Sequence, residues 1–207
     1  MNVVLYGATG RVGRRVLNEL LARGHRVTAV CRHPVDLPEI VETKTDDLSD
    51  ANRIAEIIRG ADAVVSAYSA PREDREQMLG VTARQIEAVK TAGNPRLIMV
   101  GGAGSLEVRP GVTVLDSGTL PEAWRPSATA HAKALKLLRE SDIPWTYFSP
   151  GFYFEPGERT GKFRLGGDSL ISDESGKSRI SMEDYAIALV DELERPAHVR
   201  ARFTIGY

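Results

Sequence analysis

Residues 7–13 read Gly7-Ala8-Thr9-Gly10-Arg11-Val12-Gly13, directly after the apolar run Val3-Val4-Leu5-Tyr6. Between a strand and a helix, this spacing of glycines binds phosphate. Gly7 permits the tight turn, Gly10 lets the backbone approach a pyrophosphate, and Gly13 lets the helix pack closely on the strand. The N–H groups and positive dipole end of the helix then face the anion. Thr9, Arg11 and Val12 complete the turn. Three glycines alone would make only a tight turn, so the flanking strand and helix carry the reading.

The tip of the second strand bears on which dinucleotide is expected. A site for NAD places Asp or Glu about 20 residues further on, to bond the ribose 2′-hydroxyl. Here that tip reads Val30-Cys31-Arg32-His33, with no acid. Arg32 suits a 2′-phosphate, because a planar guanidinium binds phosphate through two hydrogen bonds. His33 stands beside it as a helper. The plain alternative for Arg32 is a solvated surface arginine. The expected cofactor is therefore NADP(H), with NAD(H) as the alternative. Cys31 is the only cysteine. It excludes an internal disulfide framework and a Cys-rich metal site, and is expected to be a small buried apolar group. No metal is expected.

These residues need a frame, and the hydrophobic pattern supplies one. Strands are expected at 3–6, 26–31, 41–45, 63–67, 97–100 and 145–148. Helices are expected from Arg11 to Ala22, after the caps Ser49 and Asp50, around Met78, Thr82, Ile86 and Val89, and from about Ser127 to Glu140. Strands alternating with 10–15-residue helices predict βαβ crossovers and a parallel sheet covered on both faces. Ser181 with Asp184 resembles a capping box. It opens a helix striped by Met182, Tyr185, Ala186, Leu189, Val190 and Leu193, and a last strand is expected at 202–205. Residues 101–126 lack periodicity and are broken by Gly and Pro. A loop this long is expected to be functional or disordered. It leaves the carboxyl end of a strand, where open α/β sheets bind ligands.

The chain has 207 residues, 42% of them apolar, with 27 Lys plus Arg against 28 Asp plus Glu. That length fits one domain. The charge balance argues against nucleic-acid binding, which needs a basic excess. No run approaches the roughly 18 apolar residues of a membrane span. With the first strand starting almost at Met1, no targeting segment is expected, and the expected location is the cytoplasm. The expected partner is a small molecule, in a monomer or homodimer.

The glycine motif, Asp47-Leu48 after the third strand, Ser66-Ala67 ending the fourth and Trp145-Thr146-Tyr147-Phe148-Ser149-Pro150-Gly151 resemble the atypical short-chain dehydrogenase/reductases. Phe154 to Gly161 and Ser181 to Ala186 resemble the branch described as NADH-flavin reductases. The resemblance spans essentially the whole chain. It implies a doubly wound α/β Rossmann fold in a single domain, with residues 151–207 contributing a small substrate-side lobe. It also implies Asp47 near the adenine amino group and Leu48 against the adenine ring. Ser66, Ala67 and Tyr68 would then line the ribose and phosphates on the nicotinamide side. Asp47 could equally cap the following helix.

The departures from that family matter. It uses Tyr-x-x-x-Lys on the fifth helix and a Ser after the fifth strand, with the Tyr as general acid toward a carbonyl. Here Thr129 precedes Lys133 by four residues and Ala132 precedes Lys136. The fifth strand ends in Gly101 and Gly102, and Gly101 is placed with the cofactor-binding residues. The usual carbonyl-reducing apparatus is absent. Lys133 could bond the nicotinamide ribose or be a solvated helix lysine. His131 shares a stripe with Ala134, Leu135 and Leu138. It is either a catalytic or orienting residue, since His titrates near neutrality, or a satisfied core histidine. Pro150 and Gly151 would bring backbone near the nicotinamide. Phe152 and Phe154 could wall a flat pocket or sit in the core, Tyr153 could supply a hydroxyl, and Tyr68 and Trp124 are further pocket candidates. The expected activity is NADPH-dependent reduction of a flat acceptor such as a flavin or quinone. The alternative is a non-catalytic NADP(H)-binding redox sensor.

Overall fold

The computed structural model describes residues 1–207. In strand β1 (Asn2–Tyr6), Val3 and Leu5 pack into one hydrophobic core while Val4 and Tyr6 pack into another. Successive side chains of a strand point to opposite faces, so an unbroken apolar strand demands a layer on each side. The chain continues through α1 (Arg11–Ala22), β2 (Arg26–Cys31), β3 (Glu42–Thr45), α2 (Ala51–Ile58), β4 (Ala63–Ser66), α3 (Gln77–Thr91) and β5 (Arg96–Val100). A hairpin of β6 (Glu107–Arg109) and β7 (Val112–Thr113) leads into α4 (Arg125–Glu140). Then come β8 (Trp145–Ser149), β9 (Tyr153–Glu155), β10 (Arg164–Gly166), β11 (Arg179–Ser181), α5 (Met182–Glu194) and β12 (Ala201–Gly206).

Eight strands form one sheet in the order β10-β12-β8-β5-β4-β1-β2-β3, parallel except for the β10–β12 pair. Helices α1 and α5 pack together over one face, and α2, α3 and α4 over the other. Leu17 and Leu20 of α1 and Leu189 and Val190 of α5 fill the first core. Ile54 and Ile58 of α2, Val81 and Val89 of α3, and Leu135 and Leu138 of α4 fill the second. Each such buried side chain contributes about 1.5–3 kcal/mol. This is the doubly wound α/β fold the alternation predicts. The chain order reverses between β1 and β4, and that switch point is where such sheets bind ligands.

The last third ties into this frame. The Phe148 ring of β8 stacks between Tyr185 of α5 and Phe203 of β12, at centroid distances of 4.1 and 3.9 Å. Helix α5 and strand β12 thus belong to the main body, and the part standing off it is the short parallel pair β9–β11 with its loops. Ser181 caps α5 by accepting from the Asp184 amide at 3.0 Å. The reciprocal half of the capping box is replaced. The Asp184 carboxylate accepts from the Thr160 and Gly161 amides, both at 2.8 Å, and from the Tyr207 hydroxyl at 2.8 Å. It anchors the loop after β9 and holds the C-terminal residue.

Residues 101–126 are ordered. Leu106, Val114 and Leu120 form a small core of their own, because a hairpin can bury three apolar side chains without any periodicity visible along the chain. The Glu107 amide donates to the Asp168 carbonyl and the Leu170 amide to the Glu107 carbonyl, at 2.9 and 2.8 Å, pinning the hairpin to the last third of the chain. Strands β9, β10 and β11, of three residues each, are too short to leave a pattern in sequence.

Candidate active site

The glycine turn lies at the switch point. Gly7 has φ +79°, and a Cβ there would fall 2.5 Å from the Ala67 carbonyl oxygen at the end of β4. A Cβ on Gly13 would fall 2.0 Å from the Gly7 carbonyl oxygen, so α1 packs on the turn only with glycine at this position. A Cβ on Gly10 would meet only that same oxygen, at 3.2 Å, and Thr9, Gly10 and Arg11 are exposed. Helix α1 opens on Gly10 with no side-chain cap and no acid in its first turn. Its leading amides and dipole are left for an external anion. The turn therefore fits a dinucleotide pyrophosphate.

Around the switch point the expected residues gather in two groups. At the tip of β2, Arg32 and His33 are exposed. The Arg32 charge acts on the Tyr68 phenol, where it partly offsets the upward push of burial. Arg84 of α3 reaches the same place, its Nε donating to the Leu48 carbonyl at 2.6 Å. Nothing in the spacing of α3 singles out Arg84. Asp47 accepts from the Ser49 amide at 2.9 Å, and hydrogen bonds from Ser49 hold its carboxyl below the usual range. The cap of α2 itself is Asp50. Leu48 has φ +64° and is buried in the second core. Ser66 is buried and its hydroxyl accepts from Gln85 at 3.0 Å. The Cys31 thiol is buried beside the Thr9 side chain, and burial pushes its pKa up.

The second group forms a cleft of about 440 Å³ at the carboxyl ends of β5 and β8. Gly101, Gly102, His131, Pro150, Gly151 and Phe152 line it, together with Phe154, Trp124, Arg72 and Arg75. Trp124 and Phe152 stand 5.6 Å apart at 44°, so the ordered 101–126 segment supplies one wall. Tyr147, buried under the floor, accepts from the Gly102 amide at 3.1 Å and donates to the His131 carbonyl at 3.1 Å. Burial, with the nearby Arg75 charge, pushes the His131 imidazole down to about 4. His131 is therefore neutral at pH 7.

Two candidates lie elsewhere. Lys133, half-exposed, sits 3.6 Å from Glu76 at the start of α3 and does not line the cleft. It is two residues from His131 on α4, a rotation of about 200° on a helix of 3.6 residues per turn. Tyr153 also misses the cleft. Strand alternation turns it outward, 41% exposed, edge-on to Phe152 at 5.1 Å and to Trp124 at 6.3 Å. No cluster of His, Cys, Asp and Glu is placed to hold a metal ion. No helix is long and apolar enough to cross a membrane.

A glycine turn opening a helix at the switch point of a doubly wound sheet defines a dinucleotide-binding Rossmann protein. Residues 7–196 match the family described as NAD(P)H-binding, and the chain belongs to that family. It is 38% identical to the uncharacterized protein YwnB of Bacillus subtilis, over 99% of this chain and 98% of that protein. It is similar to the structure of a proposed epimerase of Bacteroides thetaiotaomicron, with 46% identity, TM-score 0.93 and coverage of 100% and 96% of the two chains. It is also similar to a proposed NADH-flavin reductase of Streptococcus pneumoniae, with 33% identity, TM-score 0.91 and coverage of 100% and 99%.

Proposed function

We propose that the protein is an NADPH-dependent reductase whose acceptor is a flat ring compound such as a flavin or quinone. The observation that carries this reading is the cleft beside Gly101 and Gly102, walled by Trp124, Phe152 and Phe154 and free of a Tyr-Lys acid. The likeness to a proposed NADH-flavin reductase supports it. Bound at the glycine turn, the reduced nicotinamide would supply a hydride carrying both electrons to the acceptor, with the accompanying proton taken from water.

The chain's own part is binding and orientation. The amides of α1 hold the pyrophosphate, and Arg32 with Arg84 nearby receives the 2′-phosphate and favours NADP(H) over NAD(H). Trp124 and Phe152 hold the acceptor ring and exclude water, so the barrier falls by positioning rather than by proton transfer. His131, neutral at pH 7, can accept a hydrogen bond from an N–H or O–H of the acceptor and does not deliver a proton.

The test is NADPH oxidation with flavins, quinones and small carbonyls as acceptors. Turnover with flat acceptors but not with simple ketones is the expected result. Micromolar NADPH binding with no turnover on any of them would overturn it and favour the redox sensor. The neutral His131 and the missing Tyr-Lys acid are the features that favour that second reading.

A further inference from the structure

We infer that the acceptor cleft selects an anionic ring compound, with Arg72 and Arg75 holding its phosphate or carboxylate. The word acceptor rests on the reductase reading, while the anion preference stands on the charges in the cleft. Arg72, Arg75 and His131 line it and no Asp or Glu does. His131 is held neutral, so the fixed charge in the cleft is that of the two guanidinium groups.

Both guanidinium groups are unspent. The large arginine clusters elsewhere are paired: Arg23 with Glu19, Asp191 and Glu194, Arg96 with Glu192, and Arg202 with Asp168. Neither Arg72 nor Arg75 forms such a pair. Of the acids of their own segment, Asp74 accepts from the Gln77 amide at 3.1 Å, Glu76 lies 3.6 Å from Lys133, and Glu73 is exposed, forms no ion pair and does not line the cleft. Arg75 donates through Nη1 to the Ala70 carbonyl. That bond fixes the guanidinium and leaves its remaining N–H groups free. Unpaired arginines facing an aromatic slot with no competing acid make a site for a ring that carries an anion. The cofactor's phosphates have their own donors at the α1 amides and Arg32, on the other side of the β4 end.

The experiment measures ligand binding to the NADP⁺-loaded protein by quenching of tryptophan fluorescence. Of the two tryptophans, Trp124 lines the cleft and Trp145 is buried in the sheet. Flavin mononucleotide against riboflavin tests phosphate. A carboxylated naphthoquinone against its uncharged parent tests carboxylate. In the wild type the anionic member of at least one pair should bind about tenfold tighter, the scale of a hydrogen bond to a charged group. In Arg72→Ala, and in Arg75→Gln, that preference should shrink severalfold. Arg72 is exposed and makes no side-chain hydrogen bond, so its replacement leaves the fold intact. NADPH affinity, read by calorimetry, should change by less than about twofold in either variant.

Equal binding within both pairs in the wild type would overturn the inference. So would a preference that survives in the Arg72→Ala, Arg75→Gln double variant. A loss of NADPH affinity matching the loss of anion affinity would also overturn it, by assigning the arginines to the cofactor. An arginine-dependent preference in a protein that never oxidises NADPH would support the inference while overturning the reductase reading.

Discussion

The Tyr147 hydroxyl lies 3.3 Å from Nδ1 of His131 and donates to the backbone carbonyl of the same residue at 3.1 Å. One phenol thus fixes the imidazole and the helix that carries it. It also accepts from the Gly102 amide at 3.1 Å, so the loop after β5, the ring of His131 and strand β8 are held by one oxygen. With that hydroxyl proton given to the carbonyl, Nδ1 of His131 is the donor toward the phenol oxygen. Nε2 is then the bare acceptor. A neutral imidazole held in this way can accept a hydrogen bond from an acceptor's N–H or O–H, and it cannot deliver a proton at pH 7.

Turnover in His131→Ala should therefore stay within about tenfold of wild type, whereas loss of a general acid removes about 10²–10⁴-fold. The dependence of kcat on pH should be flat from pH 6 to 8 in both proteins. Steady-state kinetics across that range check this. A thousandfold fall in kcat at unchanged KM would instead make His131 the proton donor.

Acid stability follows from the same residue. The folded His131 titrates at about 4, below its ordinary 6.5. Between those values the unfolded chain takes up a proton that the folded one refuses. Its contribution to stability is complete above pH 6.5 and is lost as pH falls toward 4. The loss should be about 1–3 kcal/mol, discounted for partial exposure. Urea unfolding at pH 7 and pH 4.5 should show a smaller drop in His131→Gln than in wild type. Equal drops would place the imidazole in water.

Arg32→Ala should weaken NADPH by about 1.5–3 kcal/mol and leave NADH nearly unchanged, because only the 2′-phosphate is affected. Calorimetry with both cofactors decides it. Equal losses would remove Arg32 from the 2′-phosphate and leave Arg84 as the cation there.

Two glycines of one turn should fail in different ways. A Cβ on Gly10 meets only the Gly7 carbonyl oxygen at 3.2 Å, so Gly10→Val should fold, keep its circular dichroism and lose cofactor binding. A Cβ on Gly13 would lie 2.0 Å from backbone, so Gly13→Ala should lose about 3 kcal/mol or more of stability before any effect on binding is read. Thermal melts and NADPH titration of both variants separate the two roles.

The main elements were legible because each is long enough to show a period. Leu17 and Leu20 repeat on α1, Leu135 and Leu138 on α4, and the strands of the parallel sheet are continuous apolar runs. The glycine turn was legible because its constraint is local: the clashes at Gly7 and Gly13 lie within one strand–turn–helix unit and the adjoining β4 end. Strands β9 to β11 and the β6–β7 hairpin were not legible, since two or three residues carry no period and their pairing partners lie far along the chain.

The cleft divides in the same way. The candidates Trp124, His131, Pro150, Gly151 and Phe152 were legible by type, with Pro150, Gly151 and Phe152 after the carboxyl end of a strand, Trp124 in the loop after β5 and His131 on a helix face. Sequence also counted Lys133 and Tyr153, which rotation on α4 and alternation on β9 turn away from that cleft. Only the tertiary structure brought Arg72 and Arg75 from the segment after β4 to face Trp124, and Arg84 from α3 to Leu48. Only it lowers the His131 pKa, through burial and the nearby Arg75 charge. Local sequence fixes backbone propensity and side-chain chemistry. Proximity between distant segments, and the burial that sets a pKa, exist only once the layers have packed.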